Sequence, residues 1–565
     1  MSTSKATCAK RVRRKSIIEP EPESENDDIN SDLENSGEYD SDSECDSEDL
    51  DNEENNWFTC VTEMMPVTSY SKVLEEYTDE QKKLEPSHIY EWCDGEKLVD
   101  EPAINEFLLP ESTKQLIRNA SFTQMFEYFF STEIKEYIIE CTNHNGYELS
   151  VNDFNIFVGI VIMSIFNSRT SQRDYWSEDP LLACDPIAKV MSRNKFMKIK
   201  SCMKLSKPSN KSSTDKAWRV RGPLEIFRKN IKRFGFFSTS LSVDESMIKF
   251  YGRTVLKQYI KDKPDRWGVK QWSLCNPEGY LFDCDLYCGK GSNPFSKRSK
   301  DTLNKCALGS RVVLQMLQEL LASVTAPKKI IRYHVYFDNY FCSPDLLVHL
   351  KKIGIRATGT VQANRVKDVD NGLDKKSPRG TYCVKNDKNS GINYITIMDS
   401  KPVSLLSTAA GVTPLSTMRR FSKEQKGKTE LPFPNAFMLY NKNMGGIDQH
   451  DFFCSNLMPS IRSKKWTWII FLRLIQASLA NATVLKNMVR IEEKKVGTKD
   501  VALDITRNYL VSDRGKTSSK RCKEAVTEKK QKCSNYSKCS VRTQKMCTVC
   551  NIYICSSCFV SYHKK

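Results

Sequence analysis

Read from the sequence, this 565-residue chain lacks an apolar run expected to cross a bilayer. The longest, Phe154 to Phe166, reads as a core helix. A secretory leader is also missing, since Lys10 to Lys15 lead into an acidic stretch instead of an apolar one. These two absences argue against a membrane-bound or secreted protein. Apolar periodicity is missing from residues 1–56, which therefore bury too little surface to fold and read as a disordered acidic tail. Net acidity is missing from everything else. Residues 1–56 hold 18 Asp and Glu against 6 Lys and Arg, so the remainder carries +28 within an overall +16. A body that basic calls for a polyanionic partner, most simply nucleic acid. Cysteine is thin over most of the chain, and 14 scattered thiols read as buried residues of a reducing compartment. The other seven of the 21 crowd into the last 44 residues.

What is present centres on carboxylates at the ends of apolar strands. The run Phe237 to Val243 alternates as a strand and delivers Asp244 and Glu245 at its end. Tyr333 to Tyr340 is an aromatic and β-branched strand holding Asp338. Met444-Gly-Gly-Ile-Asp448-Gln-His-Asp451 sets two more acids behind a glycine pair. A buried acid is costly unless it is paired or binds a metal. Three such acids far apart in sequence point to one divalent-metal site assembled by the fold. Asp451 lies one helical turn beyond Asp448 and can face the same site. Glu245 alternates away from Asp244 and reads as structural, and His450 as a stray polar side chain.

Motifs around these acids run in a recognisable order: Ser242-Val-Asp-Glu-Ser-Met247, Tyr251-Gly-Arg253, Lys257-Gln-Tyr259, Lys263-Pro264, Trp267-Gly268, Lys270 with Trp272, Gly279-Tyr280, Tyr287 with Gly289-Lys290, Phe337-Asp-Asn-Tyr340, Ala357-Thr-Gly-Thr360 with Asn364-Arg365, and Tyr440-Asn with Gly445-Gly-Ile-Asp448. From about residue 105 onward the chain resembles the piggyBac family of DNA transposases. The resemblance implies that Asp244, Asp338 and Asp448 match that family's catalytic Asp triad. Asp244 would bridge two Mg²⁺ ions (Mn²⁺ a possible substitute), with Asp338 and Asp448 flanking. Carboxylate oxygens suit such hard cations. It further implies an α/β fold: an RNase H-like catalytic core with an insertion, flanked by a helical dimerisation and DNA-binding domain and a C-terminal zinc-binding cysteine-rich domain.

The expected organisation follows the chain. A disordered tail (1–56) and a connector (57–104) precede the first part of the helical domain (105–236). In that part Asn152 or Asp153 caps an apolar helix reaching residue 166. The catalytic core begins at 237–361, as a strand hairpin turning at Gly279, a helix over Arg311 to Val324, a strand over Lys329 to Phe341, a helix over Pro344 to Ile353 and a strand over Ile355 to Val361. An insertion domain (362–432) interrupts it, with strands at Tyr382–Val384 and Ile392–Met398. The core ends at 433–454, and the helical domain resumes at 455–512, helical from Ser460 to Lys486. A basic linker (513–532) and a zinc finger (533–565) complete the chain.

Candidate DNA contacts are Arg193, Lys195, Lys198, Arg253, Lys257 and Trp466. The lysine run from Lys195 to Lys207 is a phosphate-contacting face or a solvated helix face on equal terms. Trp466 matches a family position near the DNA end, and is equally a core residue on an amphipathic helix. At the C-terminus, Cys533, Cys539, Cys547, Cys550, Cys555, Cys558 and His563 include two C-x2-C pairs. That density points to one or two structural Zn²⁺ sites, interleaved as in cross-brace folds. The family usually opens this module with C-x2-C, whereas five residues separate Cys533 from Cys539. An eighth ligand is also missing unless Cys522 supplies it. The short x4 and x7 gaps do not favour a ubiquitin-ligase or histone-reading module.

The resemblance implies a cut-and-paste transposase that cleaves DNA strands, forms hairpins and transfers strands, favouring TTAA targets. Its partners would be double-stranded DNA, as terminal inverted repeats and target, and a second copy in a homodimer. The basic clusters Lys10–Lys15 and Lys520-Arg521 with Lys529-Lys530 suggest the nucleus. A domesticated, transposase-derived DNA-binding protein without cleavage activity is the alternative.

Overall fold

A mixed ten-stranded sheet holds the molecule together. The structure, a computed structural model, describes residues 88–98, 105–212, 214–261, 263–289, 308–323, 333–370, 372–374, 376–422, 426–490, 494–516, 524–547 and 552–563. The acidic tail, most of the connector, Lys290, Cys522 and Cys550 lie outside them, as does the side chain of His563.

The first strand, β1 (Trp92–Asp94), comes from the connector. The helices α1 (Glu111–Asn119), α2 (Phe122–Phe129), α3 (Thr132–Asn143), α4 (Val151–Phe166), α5 (Arg193–Cys202) and α6 (Trp218–Ile231) follow. The apolar helix α4 begins behind Ser150, whose hydroxyl accepts from Asp153 N. The cap is therefore Ser150, and Asn152 and Asp153 already lie in the first turn. The period then changes. Strands β2 (Ser240–Lys249), β3 (Lys257–Tyr259), β4 (Trp267–Cys275) and β5 (Leu281–Leu286) precede α7 (Leu308–Ser323), β6 (His334–Phe337), α8 (Pro344–Lys352) and β7 (Arg356–Val361).

Next come β8 (Tyr382–Asp387), β9 (Asn393–Met398) and β10 (Pro402–Ser407), then the separate hairpin β11 (Ser416–Ser422) and β12 (Gly427–Phe433). The chain continues through α9 (Asn435–Asn443), α10 (Gly446–Asn456), α11 (Trp466–Val489) and α12 (Thr498–Lys516). It ends in β13 (Glu524–Lys532), β14 (Arg542–Cys547), β15 (Ile552–Tyr553) and α13 (Ser556–His563).

The sheet order is β1-β8-β9-β10-β7-β6-β2-β4-β3, with β5 also on β4. Its centre, β7-β6-β2, is parallel, and the flanking pairs are antiparallel. The 382–407 strands thus extend the central sheet through β10 on β7, and β1 adds to their edge. That placement of β1 is set by tertiary pairing. Glu96 holds it down by accepting from the backbone of Thr413 and of Val412.

One large apolar core runs from the helices of residues 111–231 through the sheet to α11 and α12. By length and composition α11 could cross a membrane, but it is almost wholly buried inside the protein. Its buried face packs Trp468 against Phe157 and Phe471 against Phe154 of α4 and Phe130 just beyond α2. Helix α11 starts at Trp466, later than the expected Ser460.

Candidate acid site and cysteine cluster

Register alone brings the first two acids together. Parallel strands β2 and β6 pair Val243 with Phe337, so Asp244 and Asp338 are the next residues on each, side by side on strands about 4.8 Å apart. Sequence alternation set Asp244 and Glu245 at the end of the strand, but β2 runs on to Lys249 because β4 pairs with it as far as Gly268. Strand β6 does stop, at Phe337, leaving Asp338 on the turn that follows. There its Oδ1 accepts from Tyr340 N at 2.9 Å. Arg365 clamps this turn, donating to the carbonyl oxygens of Asn339 and, at 3.0 Å, Cys342. The carboxyl ends of parallel strands are where open α/β sheets place ligand sites.

Helix α10 supplies the other acids. Its N-terminus presses onto β2: a Cβ on Gly446 would meet Asn276 O at 2.2 Å and Ser242 Oγ at 2.7 Å. Asp448 is exposed in the first helical turn, where the helix dipole favours an anion. Asp451 is taken up differently. Its Oδ1 accepts from Ser246 Oγ at 2.9 Å and from Arg473 Nη2 at 2.5 Å. His450 is no stray side chain. It is fully buried, with Nδ1 2.9 Å from Gly279 O, and ties α10 to the β4–β5 turn. Gly279 itself has φ +89°, a conformation that glycine tolerates.

The electrostatics fit a crowded acid cluster. Burial first, then the charges of Glu245 and Asp338, push the Asp244 carboxyl well above the usual carboxylate range. Burial and then Glu245 raise Asp338 as well. Glu245 therefore belongs to the cluster, against the sequence reading of it as structural. Strand alternation missed this because Lys263 draws its carboxylate in, Nζ to Oε1 3.4 Å. Burial lowers the Lys263 ammonium, but Asp244, Glu245 and Asp448 together more than offset that and hold it above its ordinary value. Tyr440 stands near too, its phenol raised by burial and further by Asp338 and Asp244. Lys263, Arg365 and Tyr440 were visible in the sequence only as motif letters. Asp244, Glu245 and Asp338 are hard oxygen donors close enough to raise one another, with Asp448 on the adjoining helix, and carboxylates of this kind are the donors that divalent cations suit.

Of the basic and aromatic candidates, Arg193, Lys195 and Lys198 lie exposed on α5, with Lys195 Nζ 2.6 Å from Asp153. Arg253 is exposed in the β2–β3 loop, and Lys257 stacks 4.8 Å over Trp267. Trp466 is half-buried against the main core at the start of α11.

At the C-terminus the sulfurs of Cys533, Cys539, Cys555 and Cys558 all lie within 4.8 Å of one another. This is a soft tetrad that could hold a zinc ion. The hydrogen bond with the Ser557 hydroxyl, ahead of other causes, brings the Cys555 thiol down to about 6. The tetrad unites the first and last cysteine pairs and skips the intervening Cys547, which is buried on β14. Ser540, at φ +52°, turns the chain just behind Cys539.

Comparison with known proteins agrees with this architecture. Residues 122–483 match the family described as Transposase IS4. Human PiggyBac transposable element-derived protein 3 is 28% identical over 466 residues, covering 78% of this chain and 76% of its own. The human chimeric ERCC6-PGBD3 protein is also 28% identical over 466 residues, of which the chain spans 42% of the relative's length. Human PiggyBac transposable element-derived protein 2 is 27% identical over 408 residues, 70% of this chain and 66% of that protein. Among solved structures, a piggyBac transposase synaptic complex with hairpin DNA aligns over 72% of this chain and 84% of that one, with TM-score 0.58 at 20% identity. A match over most of its length, on a mixed α/β fold of that kind, places the chain in the Transposase IS4 family, among its piggyBac-type members.

Proposed function

We propose that this chain is a cut-and-paste DNA transposase whose acid cluster is its catalytic site. The observation that carries the reading is the register that sets Asp244 beside Asp338, with α10, the helix that carries Asp448, packed on β2 at Gly446. Asp244, Asp338 and Asp448 would hold two Mg²⁺ ions. When bound, these would acidify the attacking hydroxyl and neutralise the leaving oxygen. Water attack on the phosphodiester at the transposon end breaks the P–O3′ bond and frees a 3′-hydroxyl. That hydroxyl attacks the opposite strand and closes a hairpin. A second water opens the hairpin, and the 3′ end is joined to target DNA, with TTAA favoured. Asp451 acts through Ser246 and Arg473 to fix α10, so we assign it a positioning role.

On this reading the sheet is an RNase H-like core. The helices of residues 105–236 and 455–512 serve dimerisation and DNA binding, residues 362–432 form the insertion, and the cysteine module helps read the transposon end. Arg193, Lys195, Lys198, Arg253, Lys257 and Trp466 contact DNA, the active species is a homodimer, and the site of action is the nucleus. The rival, a domesticated DNA-binding protein without cleavage, draws on the relatives named as transposable element-derived. The retained acid cluster favours the enzyme.

The test is cleavage of a duplex carrying the flanking inverted repeat, by full-length protein with Mg²⁺, beside D244N. Hairpinned ends from the wild type alone support the enzyme. Binding by both proteins with no cleavage by either, in Mg²⁺ and in Mn²⁺, establishes the rival.

A further inference from the structure

The acid cluster contains a cation of its own. Lys263 lies in the loop between β3 and β4, and its Nζ is 3.4 Å from Glu245 Oε1 and 3.5 Å from the Glu245 carbonyl oxygen. The pair is largely shielded from water, with Glu245 13% and Lys263 28% exposed. The same ammonium also feels Asp244 on β2 and Asp448 on α10. One positive charge thus serves acids from two elements. Asp451 is answered separately by Arg473 and drops out of the balance.

Asp244, Glu245, Asp338 and Asp448 set four carboxylates against the single ammonium of Lys263. Fully ionised, these five groups together are three charges negative. Two divalent cations would turn them one charge positive, and without Lys263 the loaded cluster would be neutral. Without Lys263 the empty cluster, four charges negative, would grip cations harder, but once loaded and neutral it would offer no net attraction to a phosphodiester, which is itself an anion.

We propose that Lys263, held by Glu245, sets the charge of the acid site: it weakens cation binding and leaves the loaded site positive toward the scissile phosphodiester. Both are positioning residues, and the proposal rests on the metal-dependent reading above. It predicts opposite movements of two quantities that a merely structural lysine would move together. Removing the charge tightens metal binding and slows cutting. Loss of packing weakens both.

The experiment titrates Mn²⁺ alone into full-length wild type, K263M, K263R and D244N, with free Mn²⁺ read by electron paramagnetic resonance. Cleavage at saturating Mn²⁺ follows on the same proteins. K263M is expected to bind Mn²⁺ roughly fivefold more tightly and to cut about tenfold more slowly. K263R keeps the charge and stays near wild type in both. Unchanged or weaker Mn²⁺ binding by K263M overturns the proposal. Equal Mn²⁺ binding by wild type and D244N means that the acids are not the metal site, and then the transposase reading falls together with it.

Discussion

At the residue scale, Asp244 and Asp451, far apart in sequence, play opposite electrostatic parts. Asp244 is crowded by Glu245 and Asp338 and held above the usual carboxylate range by burial and those charges. Its negative charge is a strain on the metal-free fold. Asp451 is the reverse: it answers Arg473, whose side chain is only 9% exposed. Removing one partner of such a pair strands the other, at a cost of about 3 kcal/mol or more. D244N is therefore expected to melt no lower than wild type without divalent metal, and D451N several degrees lower, by calorimetry. Both should lose cutting. A D451N that melts like wild type would remove the positioning role assigned to it.

The buried histidines add a pH dependence. Burial, with help from Arg356, pushes His334 down to about 3; burial takes His349 to about 3 and His450 to about 4. In the unfolded chain each titrates near 6.5. Depressed folded values mean that the unfolded state takes up protons first as pH falls. Stability is thus fully present above about pH 6.5 and is lost on the way down toward pH 3 to 4. Between pH 6.5 and 5 each histidine removes about 2 kcal/mol. Melting temperatures should fall over that window, and less steeply in H334N, where Asn can still meet Thr358, 2.8 Å from His334 Nε2. Equal slopes in both proteins would refute this assignment.

At the scale of elements, α10 is the part that close approach governs. Gly446 sits where a Cβ would strike the Asn276 backbone oxygen, whereas a Cβ on Gly445 meets nothing within 4 Å. G446A should push α10 off β2, costing about 1–3 kcal/mol and most of the cutting activity, while G445A should do neither. Thermal melts and the cleavage assay on the two variants check this. The same element shows where sequence reading stops. The acids were legible because a carboxylate on an apolar strand needs an explanation, and the strand–helix alternation from β6 to β7 because period and length agree. Of the cysteine tetrad, Cys555 and Cys558 were legible as a close pair, while Cys533 and Cys539 stood out only by the density of cysteines around them. What stayed hidden depends on contacts between distant segments. Strand β2 outlasts its apolar pattern because β4 pairs with it. Ser150 caps α4 ahead of two equally plausible residues. Nothing near Trp92 announces an edge strand, and Glu245 turns inward only because Lys263 arrives from another loop.

At the scale of the whole molecule, two donor sets of opposite chemistry sit in separate apolar surroundings. The acids lie beside the main core, and the cysteine tetrad has a small cluster of its own, with Ile554 and Cys547. Hard oxygens and soft sulfurs choose different metals, so the two sites should load and empty independently. With so small a core, a metal held by the tetrad would supply much of this module's folding energy. Replacing Cys555 and Cys558 by Ser should abolish Zn²⁺ uptake, measured by mass spectrometry, and disorder residues 533–563, measured by hydrogen exchange. If the module helps read the transposon end, as proposed, affinity for that end should fall about tenfold or more. Mn²⁺ affinity at the acids should stay as in wild type, because nothing in the tetrad contributes to that site. If the cysteine variant weakened Mn²⁺ binding as well, the division of labour between a cutting sheet and a separately folded DNA-reading finger would be wrong.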